Sequence, residues 1–242
     1  MSSQVMFYDL ANRQNRGWSL NPWKTRLVLN YKNIDYKTEW VEYPNLVPYL
    51  KSLGIPPNDS TAPGYFAAYS SPAIKYADGT YGMDSWPIAH ELERQYPEPS
   101  LRLDNPINAR VRDHIAKLRT PLEPHLIPRV PVVFLNPESA EYFYRTREAK
   151  YGIPLPELER TKATEDAWEA AKGPAKEVGD WLRENGGPFF LGQTVSYADF
   201  IFLGLLHMIK RIDEKYFQRY LELDESFPRF YEASKKWLER DD

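Results

Sequence analysis

Apolar and polar positions along the first hundred residues switch between strand and helix rhythms, whereas those of the remainder keep a helical one. Val5-Met6-Phe7-Tyr8-Asp9-Leu10 is a nearly continuous apolar run of strand length and predicts a buried strand. A Gly-bearing loop over 13–18 follows. Ser19 then precedes a helix predicted over 21–32, with Pro22 near its start, where the missing N–H of proline has no helical partner to lose. Residues 36–43 predict a second strand. The stretch 44–70 is rich in Pro, Gly, Asn and Ser, with a short helix predicted near 46–53. Ala73-Ile74-Lys75-Tyr76, the turn Asp78-Gly79, and the return through Thr80, Tyr81 and Met83 form a hairpin pattern. Asp84-Ser85 opens a helix over 86–94 with Pro87 in its first turn. This order of elements predicts an α/β unit with a mixed sheet and helices on its faces.

Glu98-Pro99-Ser100 reads as a linker, and beyond it every periodic segment is helical. Ile107, Val111, Ile115, Leu118 and Leu122 form one apolar stripe; Ala163, Ala167, Ala171, Ala175, Val178 and Leu182 form another, ended by Asn185-Gly186-Gly187-Pro188. Five prolines between Pro121 and Pro137 predict broken helix there, near the boundary between the two units. Ser196-Tyr197-Ala198-Asp199 is a capping box, flanked by Val195 and Phe200 as a staple, and it starts a helix that is apolar on all sides. That helix is the expected centre of the second unit. Two domains are thus expected, an α/β domain over 1–97 and an all-α domain over 103–242.

The composition excludes several classes of function. A net charge of −3 offers no basic surface for phosphates, so nucleic acid is not an expected partner. No apolar run reaches the ~20 residues of a membrane span, and no basic-then-apolar leader opens the chain. A cytoplasmic protein with no membrane partner is expected. The absence of cysteine removes disulfides, thiolate metal sites and cysteine nucleophiles, so any thiol chemistry requires a thiol brought by a ligand. Only His90, His114, His125 and His207 are present, none in a metal-binding spacing, and no metal is expected. Aromatic residues at 14% favour apolar pockets, although most such rings serve packing.

The chemistry concentrates around the hairpin. A proline at a strand start cannot donate to the ladder and often marks a tight, sometimes cis, turn. At Ser71-Pro72 such a turn leaves the Ser71 backbone free to pair with an extended ligand. The helix start at Asp84-Ser85 offers N–H groups and a positive dipole end to a carboxylate. Together they suit a small anionic peptide. Simpler readings stand beside these: Ser19 and Asp84-Ser85 as ordinary caps, Arg26 as a pairing residue in the helix layer, Tyr142-Phe143-Tyr144 as packing or loop, and 235–242 as a solvated helix end.

With these motifs in their order across two units, the chain resembles a cytosolic glutathione transferase over nearly its full length. The segment Trp18-Ser19-Leu20-Asn21-Pro22-Trp23-Lys24-Thr25-Arg26 narrows the resemblance to the serine-type fungal FuA group related to bacterial β-etherases. The resemblance implies a thioredoxin-like domain followed by an all-helical one, glutathione as co-substrate, no metal, detoxification chemistry and a homodimer. It implies that Ser19, seven residues before Arg26, is the catalytic hydroxyl, with Asn21 as a second donor. Ser71 and Pro72 would hold the glutathione cysteine backbone, Asp84 and Ser85 its γ-glutamyl end, and Lys51 its glycyl carboxylate. Tyr8, Trp18, His114 and His125 would line the electrophile site between the domains. Most relatives carry Glu or Gln where this chain has the shorter Asp84. The expected activity is attack of the glutathione thiolate on apolar or aromatic electrophiles or aryl ethers. Alternatives on the same fold are a ligandin-type binder of small hydrophobic aromatic molecules and an interaction protein that has lost glutathione. An omega-type thiol reductase is excluded by the lack of cysteine.

Overall fold

The computed structural model describes residues 4–242. Four strands, β1 (Val5–Leu10), β2 (Tyr36–Val41), β3 (Ala73–Lys75) and β4 (Tyr81–Met83), form one sheet in the order β2-β1-β3-β4. β1 and β2 run parallel, whereas β3 is antiparallel to both β1 and β4. The parallel pair is joined by α1 (Leu20–Tyr31), as a crossover requires. A 3₁₀ turn at Tyr43–Asn45 replaces the predicted end of the second strand and leads into α2 (Leu46–Ser52). The hairpin feeds α3 (Ser85–Gln95). Successive strand residues face opposite sides of a sheet. Phe7 lies under the Arg26 guanidinium of α1 and its neighbour Tyr8 meets Tyr49 of α2, so α1 and α2 cover opposite faces.

The connection to the helical unit is pinned. Buried Lys32 pairs with Glu93 at 2.6 Å and donates to the carbonyls of Tyr96 and Pro99. The helical unit then comprises α4 (Ile107–Arg119), α5 (Glu123–Leu126), α6 (Arg129–Val133), α7 (Pro137–Tyr151), α8 (Leu155–Lys162), α9 (Glu165–Arg183), α10 (Tyr197–Ile212), α11 (Glu214–Leu221) and α12 (Ser226–Ser234). The proline-rich stretch is broken into two short helices, as its composition predicts. The second apolar stripe differs from expectation: Ala163 ends α8, and α9 begins only at Glu165, because the intervening Thr164 adopts an extended N-cap backbone. The segment 142–144 is helical within α7, with Phe143 buried.

α10 is the central element. The Asp199 carboxylate accepts from Ser196 N–H at 2.7 Å and from Phe190 N–H at 3.0 Å, closing the capping box on the preceding loop. Asn108 of α4 accepts from Ala198 N–H at 2.7 Å. α10 also packs along α1. Gly204 permits the approach, since a Cβ there would lie 3.2 Å from the Leu20 carbonyl oxygen.

The charged tail departs from the solvated helix end read from its sequence. After a 3₁₀ turn at Lys235–Trp237 it runs back over the first unit as a strap. Asn30 donates to the carbonyls of Trp237 and Arg240, at 2.8 and 2.9 Å. Gly17 N–H donates to the Asp241 carbonyl at 2.6 Å, and Thr38 Oγ1 to that of Asp242 at 2.6 Å. Arg240 lies 3.8 Å above the Tyr36 ring. The charge-rich sequence of 235–242 conceals this, because four of its backbone carbonyls accept bonds from the first unit.

Candidate functional site

Three chain segments meet where α1 packs against α3. The first is the start of α1. Ser19 holds the N-cap position with extended backbone (φ −87°, ψ 142°), but its side chain makes no cap hydrogen bond. The hydroxyl of this half-buried serine is thus not consumed by the helix it precedes. Asn21 follows in the first turn, and its Oδ1 accepts from Lys24 Nζ at 2.9 Å.

The second segment is the turn before β3. The Ser71–Pro72 peptide is cis. Strand pairing begins at Ala73, opposite Tyr8 and Met83, so Ser71 lies beyond the ladder. Ser71 Oγ is 3.5 Å from the Tyr8 carbonyl.

The third segment is the start of α3. Asp84 N–H donates to the Pro72 carbonyl at 3.1 Å, joining this helix start to the cis turn. Asp84 has φ of 72°, a conformation unusual for a residue with a side chain. Its Oδ1 caps Trp86 N–H at 2.9 Å, which leaves Oδ2 outside the cap. Ser85 is buried, and its carbonyl accepts from Tyr197 at 2.8 Å, so α10 fixes this end from beneath. Such an end, with a carboxylate oxygen outside the cap at the positive end of a helix, suits a zwitterionic amino-acid head.

Lys24 links the first and third segments. It is 8% exposed, and burial pulls its ammonium down to about 8; the Asp84 carboxylate opposes this and Arg119 adds to it. Two residues went unnoticed in the sequence, Lys24 and Tyr197. The signal for Lys24 was its i,i+3 spacing from Asn21 on a helix whose residues 22–29 are all buried. Tyr197 had none, since its bond to Ser85 spans 112 positions.

The remaining expected residues lie elsewhere in the fold. Tyr8 turns to the α2 face, where burial and the neighbouring Tyr81, Tyr49 and Glu39 push its phenol above the ordinary range. Lys51 is exposed on α2, its ammonium 5.3 Å from the Tyr69 ring centre. His114 turns into the helical unit, with Nε2 3.1 Å from the Pro174 carbonyl and its ring 4.9 Å from Trp181 of α9. His125 does the same, 3.1 Å from the Thr164 carbonyl and packed on Trp168 and Tyr216. The two imidazoles are thus engaged by α9 and its surroundings rather than gathered with Ser19, because the helical phase of α4 and α5 turns them that way. Trp18 does adjoin Ser19. It is buried, stacked on Phe134 at 5.0 Å, and it touches Tyr43, which stacks in turn on Tyr142 at 6.0 Å. Among the described residues no cluster of His, Asp and Glu could hold a metal ion, and no helix is long and apolar enough to cross a membrane.

Residues 18–95 match the family model of the glutathione S-transferase N-terminal domain, and residues 109–237 match that of the C-terminal domain. The chain belongs to the glutathione S-transferase family. Within it, the chain is 32% identical over 259 aligned positions to the glutathione S-transferase-like protein ustS of Aspergillus flavus, covering 98% of this chain and 92% of that protein. Glutathione transferase GSTFuA2 of Phanerochaete chrysosporium superposes with a TM-score of 0.87 at 29% identity, with full coverage of both chains (100% each). The glutathione S-transferase CsGST63524 of Ceriporiopsis subvermispora, solved in complex with glutathione, gives 0.85 at 29% identity over 97% of this chain and 98% of that one. These relatives place the chain beside the fungal FuA-type transferases. The β-etherase LigF of Sphingobium, at 16% identity and a TM-score of 0.59, shares the fold alone.

Proposed function

We propose that this transferase binds glutathione across the three segments and activates its thiol with the Ser19 hydroxyl. The observation that carries the reading is the Ser19 side chain, placed at the N-cap of α1 yet making no cap hydrogen bond. Glutathione would pair through its cysteine backbone with Ser71. Its γ-glutamyl head would meet Asp84 Oδ2 and the start of α3.

The magnitudes suffice. A free thiol with pKa near 8.5 is only a few per cent ionised at pH 7. A downward shift of about two units needs roughly 2.7 kcal/mol of selective stabilisation of the thiolate. A hydroxyl donating to the charged sulfur supplies about 1.5–3 kcal/mol, and the α1 N-terminus about 0.3–1 kcal/mol more. Ser19 thus acts as a hydrogen-bond donor. The thiol proton leaves to solvent, and the thiolate attacks an electrophilic carbon. A C–S bond forms while the leaving group departs with its electron pair, as a phenolate when the substrate is an aryl ether.

The run of rings from Trp18 through Tyr43 to Tyr142 supports aromatic electrophiles or aromatic ligands. A cytoplasmic homodimer completes the reading, and sedimentation at several concentrations tests that part. The activation itself is tested by titrating the protein–glutathione complex with pH and following thiolate absorbance. The expected result is a thiol pKa well below 8.5 that returns upward in Ser19→Ala, with glutathione still bound. Glutathione bound with an unshifted pKa would assign the chain to carriage of aromatic compounds instead.

A further inference from the structure

Two lysines of the first unit are buried, and only one of them has an ion partner. Lys32 is accounted for by Glu93 and two carbonyls. Lys24, 8% exposed, makes a single hydrogen bond among the described residues, to Asn21 Oδ1 at 2.9 Å. The Asp84 carboxylate acts on Lys24 only from beyond ion-pair distance, and burying an ammonium without a closer carboxylate is costly, so a purely structural position would be better filled by Met or Leu.

The chemistry of that one bond fixes more than a contact. An ammonium only donates. The amide atom facing Lys24 must therefore be the oxygen, and Nδ2 with its two N–H donors must point the other way. Nδ2 has no hydrogen-bond partner among the described residues, and it is not among the buried polar atoms left unpaired. It opens outward from the first turn of α1, two residues beyond Ser19.

Resting on the Ser19 reading above, we propose that Lys24 is a positioning residue: it locks the Asn21 amide so that Nδ2 donates to the thiolate of bound glutathione as a second donor beside Ser19. Lys24 remains a donor at neutral pH, since burial lowers its ammonium only to about 8. A neutral amine could accept from Nδ2 and release the lock. Asp84, Arg119 and Asn21 are the groups around it.

The test is a double-mutant cycle read by thiolate absorbance of the glutathione complex. Lys24→Met keeps the apolar stem and removes the donor. Asn21→Ala removes the amide donor without adding charge, and Lys24→Leu stands in should Lys24→Met fold poorly. Each variant should raise the bound thiol pKa by about one unit, from about 6.5 to about 7.5, a roughly threefold loss of thiolate at pH 7. The expected kinetic signature is a fall in kcat with KM for glutathione within about twofold. Lys24→Met added to Asn21→Ala should have no further effect, because the lysine acts through the amide. A thiol pKa unmoved by Lys24→Met, or by Asn21→Ala, would overturn the inference. So would a Lys24→Met effect of full size in the Asn21→Ala background, which would make Lys24 a free-standing charge. A wild-type complex with no depressed thiol pKa would instead overturn the Ser19 reading, and this inference with it.

Discussion

Arg26 Nη2 of α1 lies 2.9 Å from Asp9 Oδ2 of β1, and neither side chain reaches solvent. The guanidinium is also sandwiched by aromatic faces, with the centre of Phe7 at 4.9 Å and that of Trp40 at 5.5 Å. Its other amino group donates to Tyr36 and Thr38 at 3.3 Å each and to the Asp242 carbonyl. Removing one member of a buried pair strands the other. Arg26→Met should therefore cost about 3–5 kcal/mol, read as a lower urea midpoint. Adding Asp9→Leu should recover part of that loss, because the stranded carboxylate is gone. An equal or greater loss in the double variant would show that the partners on β2 and the strap matter more than Asp9.

Asp84 combines two jobs that substitutions can separate. Asparagine retains a capping oxygen for Trp86 and tolerates a positive φ, whereas alanine does neither. Asp84→Ala should lose about 1 kcal/mol of stability and bind glutathione weakly. Asp84→Asn should keep the melting temperature and lose only the charge on Oδ2. A rise of about tenfold in glutathione Kd is expected from a lost charged hydrogen bond. Isothermal titration and thermal melts on the same samples distinguish the two effects.

His207 of α10 gives the fold an acid sensitivity. Its ring packs edge-on to Trp23 at 4.5 Å, and Nδ1 lies 3.1 Å from the Tyr231 hydroxyl. Burial, with Arg211 and Lys210 adding to it, lowers its pKa from 6.5 to about 3. Between those values the unfolded chain binds a proton that the folded chain refuses, so this contribution is present above pH 6.5 and is lost as pH falls toward 3. The loss between pH 7 and pH 5 is about 2 kcal/mol. His207→Gln should remove it. Equal pH slopes for the two proteins in urea titrations would count against this source.

Gly204 marks how closely α10 crosses the start of α1. A Cβ there would press on the Leu20 carbonyl at 3.2 Å, with Trp23 Cβ in ordinary contact at 3.6 Å. Gly204→Val should cost about 1–3 kcal/mol by overpacking. Because the displaced turn follows Ser19 directly, glutathione turnover should fall further than the fraction of folded protein explains. Activity normalised to circular dichroism amplitude checks this.

The parts of the site that sequence disclosed are local ones. Ser71-Pro72 and Asp84-Ser85 sit at element boundaries, where turn and cap chemistry is written in neighbouring residues. The box at Ser196 and Asp199 is equally local, and it appears as the order of residues implied. His114 and His125 were expected at the electrophile site from the family resemblance. Which face of a short helix turns inward is decided by partners such as Trp181 and Trp168, far away in sequence. Lys24 was hidden for a similar reason: the groups around it, Asp84 before α3 and Arg119 of α4, are far away in sequence. The strap escaped notice because the first unit grips it at the backbone carbonyls of Trp237, Arg240, Asp241 and Asp242, a group that every residue carries.

That strap has a consequence for how the molecule is made. Arg26 and the Asp242 carbonyl are 216 positions apart, and the Ser19 loop is held at Gly17 by the residue before it. A ribosome adding about 5–20 residues per second would present these partners to each other roughly 10–40 s after the first helix has emerged. Through that interval the first unit has its buried arginine short of one acceptor and its Ser19 loop without the Gly17 tether. The start of α1, with Ser19, gains its last tether only once residues 235–242 have been made.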